Sequence, residues 1–114
     1  MDREKAQEIL KAYGRPSFKV GENNIVFARQ TEENLSEIES KTNEELIEDW
    51  KSLVWINNIY GQVSLNEMQR ISLIELEMDY RKIESEPLNS WYETESAKFD
   101  EQNFDGAYGW VYET

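Results

Sequence analysis

Apolar residues recur at three- and four-residue spacing along most of the chain, with polar residues between them. Such spacing places apolar side chains on one face of a helix. It predicts helices over residues 2–13, 43–60, 65–84 and 87–102, and one or two helical turns over residues 31–41. Because only a short connection separates the second and third of these helices, we expect them to form an antiparallel helical hairpin at the centre of the fold.

The predicted hairpin has clear boundary signals. Thr42 and Glu45 have the spacing of a capping box, and Gly61 stands where the first helix of the hairpin is expected to end. The second helix carries two apolar stripes, which predicts contacts on two of its sides. On that helix, Glu77 and Arg81 lie one turn apart and are expected to form a modest surface ion pair.

Two further stretches have strand-like composition. The runs 18–20 and 25–28 flank the polar turn 21–24 and predict a short β-hairpin. Near the end of the chain, residues 105–112 are also strand-like and are a candidate partner for that hairpin. The predicted fold is therefore a mainly helical α+β domain over residues 1–114, with a central helical hairpin, a short N-terminal β-hairpin and flanking helices.

The composition excludes several kinds of chemistry. The 114 residues contain no cysteine and no histidine, which removes disulfides, zinc–thiolate sites and the commonest general base. There is no phosphate-binding loop, dinucleotide fingerprint or nucleophile elbow. We expect a protein that is not an enzyme and needs no cofactor or metal. Without a signal peptide or a membrane-length apolar run, it is expected to be cytoplasmic.

The net charge of −12 is unevenly distributed. Residues 31–49 and residues 83–114 each carry a net charge of −7, whereas residues 50–82 are neutral and residues 1–30 carry +2. A neutral apolar centre is thus flanked by two acidic segments. Such segments repel phosphate groups, so direct binding to nucleic acid or to a membrane surface is not expected.

The first acidic segment has the charge spacing of a nucleic acid. As one helix it would span about 28 Å, at ~1.5 Å per residue, so its eight carboxylates would lie about 3.5 Å apart. A DNA strand presents a phosphate about every 3.4 Å along its axis. Seven of these carboxylates are therefore candidate phosphate surrogates: Glu32, Glu33, Glu37, Glu44, Glu45, Glu48 and Asp49.

Half of the aromatic residues lie in the last 24 positions, among acidic residues. Most buried aromatic side chains belong to a core, but aromatics bordered by carboxylates also anchor interfaces with basic partners. Trp91, Tyr108 and Trp110 are the candidate anchors. A second candidate patch consists of Trp55 with Ile56 and Ile59.

The small size, acidity, lack of cysteine and aromatic content of the chain resemble those of inhibitors from bacteriophages and mobile elements. With acidic runs such as Glu32-Glu33, Glu44-Glu45 and Glu48-Asp49, it looks like anti-CRISPR and antirestriction proteins. The resemblance lies in composition over the whole chain, without a motif match. It implies a protein that blocks a nucleic-acid-binding groove with carboxylates.

These observations lead to one preferred hypothesis. The chain is expected to be an acidic binding protein that docks on a basic surface of a nucleic-acid-handling protein and inhibits it, as a nucleic-acid mimic would. A different hypothesis is a structural adaptor or homodimer that uses a surface around Trp55, Ile59 and Ile74.

A third hypothesis is a small metal-binding protein or enzyme. Its candidate groups are the carboxylate pairs Glu75/Asp79 and Glu44/Glu48, each one helical turn apart. The stretch 101–112 also resembles the first half of an EF-hand loop, with glycine at its sixth position. Its twelfth position is Tyr112 rather than the glutamate that such a loop requires.

Overall fold

The structure, a computed structural model, describes residues 1–12, 30–62 and 65–112, with side chains described as far as residue 102. All regular elements in these ranges are helical. The α-helices are α1 (Arg3–Ala12), α2 (Glu32–Ser40), α3 (Asn43–Val54), α4 (Leu65–Tyr80) and α5 (Glu86–Tyr112). Helix α3 continues directly into a π-helical turn over Trp55–Ile59.

The predicted α+β class is wrong, because the described residues contain helices and no strand. The β-hairpin predicted over residues 18–28 lies outside the described residues. The strand predicted over residues 105–112 is replaced by the end of α5. An established helix gains one backbone hydrogen bond for each added residue, whereas a strand needs a partner strand. The strand preference of tyrosine, tryptophan and valine is weak and depends on that partner.

The predicted central hairpin is confirmed in its two helices, which pack against each other. The capping box is present as predicted, since the Thr42 side chain accepts from the Glu45 N–H at 3.2 Å. In return, the Glu45 carboxylate accepts from the Thr42 N–H at 3.0 Å. Gly61 ends the first arm with a φ of 88°, a left-handed conformation that favours glycine.

Helix α4 is the central element, since α1, α2 and α3 all pack on it. Its apolar side chains include the fully buried Leu73 and Ile74. Leu35 and Ile38 of α2 and Leu46 of α3 are fully buried in the same core. The contacts on two sides that the apolar stripes predicted are therefore present, but Leu65 and Tyr80, at the two ends of α4, are exposed.

Arg81 follows α4 and fastens the connection between α2 and α3. Its guanidinium donates to the backbone carbonyls of Lys41 at 2.7 Å and Glu39 at 2.9 Å. It also donates to the Asn43 side chain at 3.0 Å and to the Glu77 carboxylate at 2.9 Å. The residue after it, Lys82, has a φ of 57°. None of the helices in the described ranges combines the length and apolarity needed to cross a membrane.

Candidate partner-binding surface

The seven predicted phosphate surrogates divide into three groups in the structure. Glu33, Glu44 and Glu48 are exposed, and none of them forms an ion pair with a residue that the structure describes. The other four are held by other parts of the chain. The acidic segment is also divided between two helices, because the backbone leaves the helix at Lys41 and Thr42. Residues 31–49 therefore do not form the single helix for which the carboxylate spacing was compared with DNA.

Glu37 and Asp49 belong to an internal ionic network with Arg70 and Lys41. The Arg70 guanidinium binds both carboxylate oxygens of Glu37, at 2.8 and 3.1 Å, and lies 3.7 Å from Asp49. Lys41 Nζ lies 3.0 Å from Asp49 Oδ2 and 3.7 Å from Glu37 Oε1. The hydrogen bond from Arg70 lowers the pKa of Glu37, and the bond to Asp49 raises the pKa of Lys41. These two carboxylates therefore already have cationic partners within the chain.

Glu32 and Glu45 make local polar contacts. The Glu32 carboxylate accepts a hydrogen bond from the side-chain amide of Gln7 on α1. Glu45 forms the capping box of α3, and the hydrogen bonds from the backbone and side chain of Thr42 lower its pKa. Replacing Glu45 would thus disturb the start of α3 as well as the surface charge.

Glu48 lines an open groove of about 550 Å³ between α3, its π-helical turn and α5. The other lining residues are Lys51, Ser52, Trp55, Ile56 and Trp91. Glu44 lies one helical turn before Glu48 on α3. On α3, the exposed Glu48 therefore lines a groove with two indole rings, and the exposed Glu44 lies beside it. We call this groove, with its six lining residues, the aromatic groove.

Ring contacts hold the two tryptophans of the aromatic groove in place. The Trp55 ring stacks on Tyr60, with centroids 5.8 Å apart and an angle of 17°, and meets Phe99 edge-on at 5.9 Å. The Trp91 ring contacts Trp50, a core residue, at 5.9 Å. Aromatic pairs at these separations are favourable contacts. Both tryptophan rings of the groove are therefore held in position by contacts with other aromatic side chains.

The π-helical turn sets the orientation of one wall. Its Asn57 is buried, and the side-chain amide donates to the Leu53 carbonyl and to the Glu67 carboxylate of α4. Tyr60 N–H donates to the Trp55 carbonyl at 2.8 Å, closing a wide turn. π-Helical turns are rare in proteins, and those that occur are often found at functional sites. In this chain the turn presents Trp55 and Ile56 to the groove.

Lys51 occupies the aromatic groove without an ion-pair partner among the described residues. Its Nζ lies over the Trp91 ring, 5.4 Å from the centroid, which is cation–π distance. Sequence reasoning did not identify this residue as part of a site. The available signal was its position three residues after Glu48 and four before Trp55, on the same side of a helix.

The structure treats the predicted aromatic anchors differently. Trp91 lines the groove, whereas the side chains of Tyr108 and Trp110 lie outside the described part of the chain. The adaptor surface predicted around Trp55, Ile59 and Ile74 is not a surface as a whole. Ile59 is 8% exposed and Ile74 is fully buried, so Trp55 alone of the three borders the groove.

The candidate metal groups do not assemble into a site in the structure. Among the described residues, no group of three or more acidic side chains is arranged to hold a metal ion. Helix α5 includes Glu101–Tyr112, so this stretch has helical backbone rather than an EF-hand loop. At the Glu75/Asp79 pair, partial burial and then the charge of Asp79 raise the pKa of Glu75.

Comparison with protein family models, curated proteins and solved structures finds no match to this chain.

Proposed function

We propose that this chain is a non-enzymatic binding protein that docks on a basic surface of a nucleic-acid-handling protein and inhibits it. The observation that carries the proposal is the set of exposed carboxylates Glu33, Glu44 and Glu48, which lack a cationic partner among the described residues. Two of them lead into the aromatic groove. Carboxylates beside a supported aromatic surface are suited to a partner rich in lysine and arginine.

The carboxylates that already form ion pairs within the chain are less suited to bind a partner than the exposed ones. Glu37 and Asp49 are paired with Arg70 and Lys41, so a partner would have to compete with existing bonds. The exposed carboxylates lose only their hydration when a basic group approaches. With a net charge of −12, long-range attraction would also accelerate the encounter and make it sensitive to salt. Inhibition follows because the same basic surface cannot hold phosphates and carboxylates together.

The experiment is affinity capture from a lysate of the source cell with three forms of the protein. The first is the wild-type chain, and the second reverses the exposed set as Glu33→Lys, Glu44→Lys and Glu48→Lys. The matched control reverses three exposed carboxylates elsewhere, as Glu8→Lys, Glu84→Lys and Glu93→Lys. Both variants have the same net charge, so a difference between them reports position rather than total charge.

The proposal expects a nucleic-acid-binding protein to be captured by the wild type and the control but not by the Glu33/Glu44/Glu48 variant. Duplex DNA or RNA should displace the captured protein, and its activity on nucleic acid should fall when the wild-type chain is added. Equal capture by both variants, or capture that nucleic acid does not compete, contradicts the proposal. Circular dichroism of each variant confirms that the helices are retained.

A further inference from the structure

We propose that the aromatic groove receives an arginine side chain of the partner, with the guanidinium stacked on the Trp91 ring and paired with the Glu48 carboxylate. This inference rests on the proposed function, because it identifies the group of the basic partner that the groove recognises. It also assigns Lys51 a role as an internal occupant that the incoming arginine displaces.

The groove already holds a cation against an indole ring. Lys51 Nζ lies 5.4 Å from the centroid of Trp91, and it makes no ion pair with a described residue. A positive charge within about 6 Å of a ring centroid is attracted by the ring's electron distribution. The ring surface is thus suited to a cation, and the chain itself supplies one in the absence of a partner.

The charged side chains in the lining, Lys51 and Glu48, balance, and the neighbouring Glu44 brings the sum to −1, which favours a cation over an anion. Lys51 is the one basic residue among the six that line it, and Glu48 lines it too. The exposed carboxylate of Glu44 lies one turn away. When Lys51 Nζ moves from the ring into solvent, the face of Trp91 becomes free while the carboxylates of Glu48 and Glu44 stay close, so an incoming positive group meets complementary charge.

Arginine fits this arrangement better than lysine does. Its planar guanidinium can stack on an indole ring while its edge donates two hydrogen bonds to a carboxylate. It is also more weakly hydrated than an ammonium group, so its transfer to the groove is less opposed by solvation. The stacking of Trp55 on Tyr60 holds the second indole ring of the groove in place.

The test titrates the full chain with three short peptides that differ at one residue. The peptides are acetyl-Gly-Ser-Xaa-Ser-Gly-amide, in which Xaa is arginine, lysine or citrulline, the uncharged analogue of arginine. Binding is followed by ¹H–¹⁵N NMR of the indole groups and of the α3 backbone. We expect the arginine peptide to shift the signals of Trp91 and Trp55 at millimolar concentration, the lysine peptide to bind several-fold more weakly and the citrulline peptide not to bind.

Lys51→Ala provides the discriminating variant. If Lys51 competes with the incoming arginine, its removal should tighten binding of the arginine peptide several-fold. If the groove instead binds an anion through Lys51, removal should weaken binding of an acetyl-Gly-Ser-Glu-Ser-Gly-amide peptide. Lys5→Ala removes an exposed lysine of α1 and is the matched control. Lys51→Ala removes the cation–π contact with Trp91 but no ion pair with a described residue, and circular dichroism should show that its helices are retained.

Several outcomes would overturn the inference. They are equal binding of the citrulline and arginine peptides, weaker arginine binding by Lys51→Ala, and unshifted indole signals. Signals that change with protein concentration alone would indicate that a second copy of the chain occupies the groove, which also contradicts it. The proposed function is tested separately, since capture of the partner depends on three carboxylates. If the groove binds the arginine peptide but the chain captures no partner, the proposed function is refuted and the inference about the groove is not.

Discussion

The buried carboxylate of Glu77 and the half-buried guanidinium of Arg81 form an ion pair, with Arg81 Nε 2.9 Å from Glu77 Oε2. Glu77 is only 3% exposed, and its second oxygen lies 3.1 Å from the Met1 ammonium group. In the surface pair predicted from spacing, Glu77 is therefore buried and Arg81 is half-buried. Because Arg81 also binds two carbonyls of the α2–α3 connection, this pair joins that connection to α4.

Replacement of Arg81 is expected to destabilise the protein strongly. Arg81→Ala removes the guanidinium from the buried Glu77 carboxylate, whose other oxygen keeps the Met1 ammonium at 3.1 Å, so the expected cost is about 2 kcal/mol, that of losing hydrogen bonds to charged groups. Arg81→Lys should recover part of the loss, since an ammonium cannot reproduce the forked contacts. Urea denaturation measures both. A loss of less than about 1 kcal/mol in the free energy of unfolding of Arg81→Ala would contradict the conclusion that Arg81 stabilises the α2–α3 connection.

Introducing glycine at Lys82 should stabilise the protein, whereas replacing the glycine at Gly61 should destabilise it. Both follow helices with positive φ, 57° and 88°. Lys82→Gly should stabilise the protein by about 1 kcal/mol, because a side chain is strained in this conformation. Gly61→Ala should destabilise it by a similar amount. Apart from the chain neighbours of Gly61, no atom of the described residues lies within 4 Å of an added Cβ, so the loss would come from the backbone.

Thermal denaturation of the two variants checks these signs. A Gly61→Ala variant as stable as the wild type would show that this turn relaxes without cost. For Lys82, Lys82→Ala serves as the control that removes the side chain but keeps the strain.

Thr42 should contribute to stability as the N-cap of α3. Thr42→Ala removes the oxygen that accepts from the Glu45 N–H, and loss of an N-cap acceptor costs about 1 kcal/mol. Thr42→Ser keeps the hydroxyl and should stay close to the wild type. Chemical denaturation compares the two. Equal losses in both variants would attribute the effect to the methyl group instead.

The Glu37–Arg70 pair should make stability depend on acidity. Because the pKa of Glu37 is lowered from 4.5 in the folded chain, its contribution is present above pH 4.5 and is lost as the pH falls through the folded value. The side chain is 47% exposed, so solvent screening limits the effect to less than about 1 kcal/mol. Glu37→Gln should reduce the stability difference between pH 7 and pH 3. An unchanged difference would contradict a stabilising pair.

Glu75 should show the reverse behaviour. Partial burial and the nearby Asp79 raise its pKa above 4.5, so the folded chain holds this proton more tightly than the unfolded chain does. Its effect is neutral at low pH and becomes destabilising as the pH rises from 4.5 through the folded value. Glu75→Gln should therefore raise the stability at pH 7, by less than about 1 kcal/mol because the group is partly solvated. A loss of stability would contradict this sign.

Local signals in the sequence predicted the central helices well. The capping box at Thr42, the apolar periodicity of α3 and α4, and the glycine at position 61 act over a few residues, and all have the predicted structure. The end of α5 was predicted as a strand from composition, which carries little information without a partner strand.

Contacts between distant positions could not be predicted in the same way. Arg81, the partner of the buried Glu77, also donates to two carbonyls about 40 residues earlier in the chain. The pairing of Glu37 with Arg70 likewise joins α2 to α4. Charge counting therefore identified the acidic segment but did not separate its paired carboxylates from Glu33, Glu44 and Glu48.

The π-helical turn has a genetic consequence. It contains one more residue than an α-helical turn, so deletion of one codon between Trp55 and Ile59 would restore a regular helix. Because the wide turn absorbs that extra residue, the side chains after the deletion would keep their faces of the helix, including the buried Ile59. Trp55 and Ile56 belong to the widened turn itself, so the groove wall that they form would be lost while the core of α3 and α4 remained. A single insertion or deletion can thus create or abolish this surface in an otherwise ordinary helical hairpin.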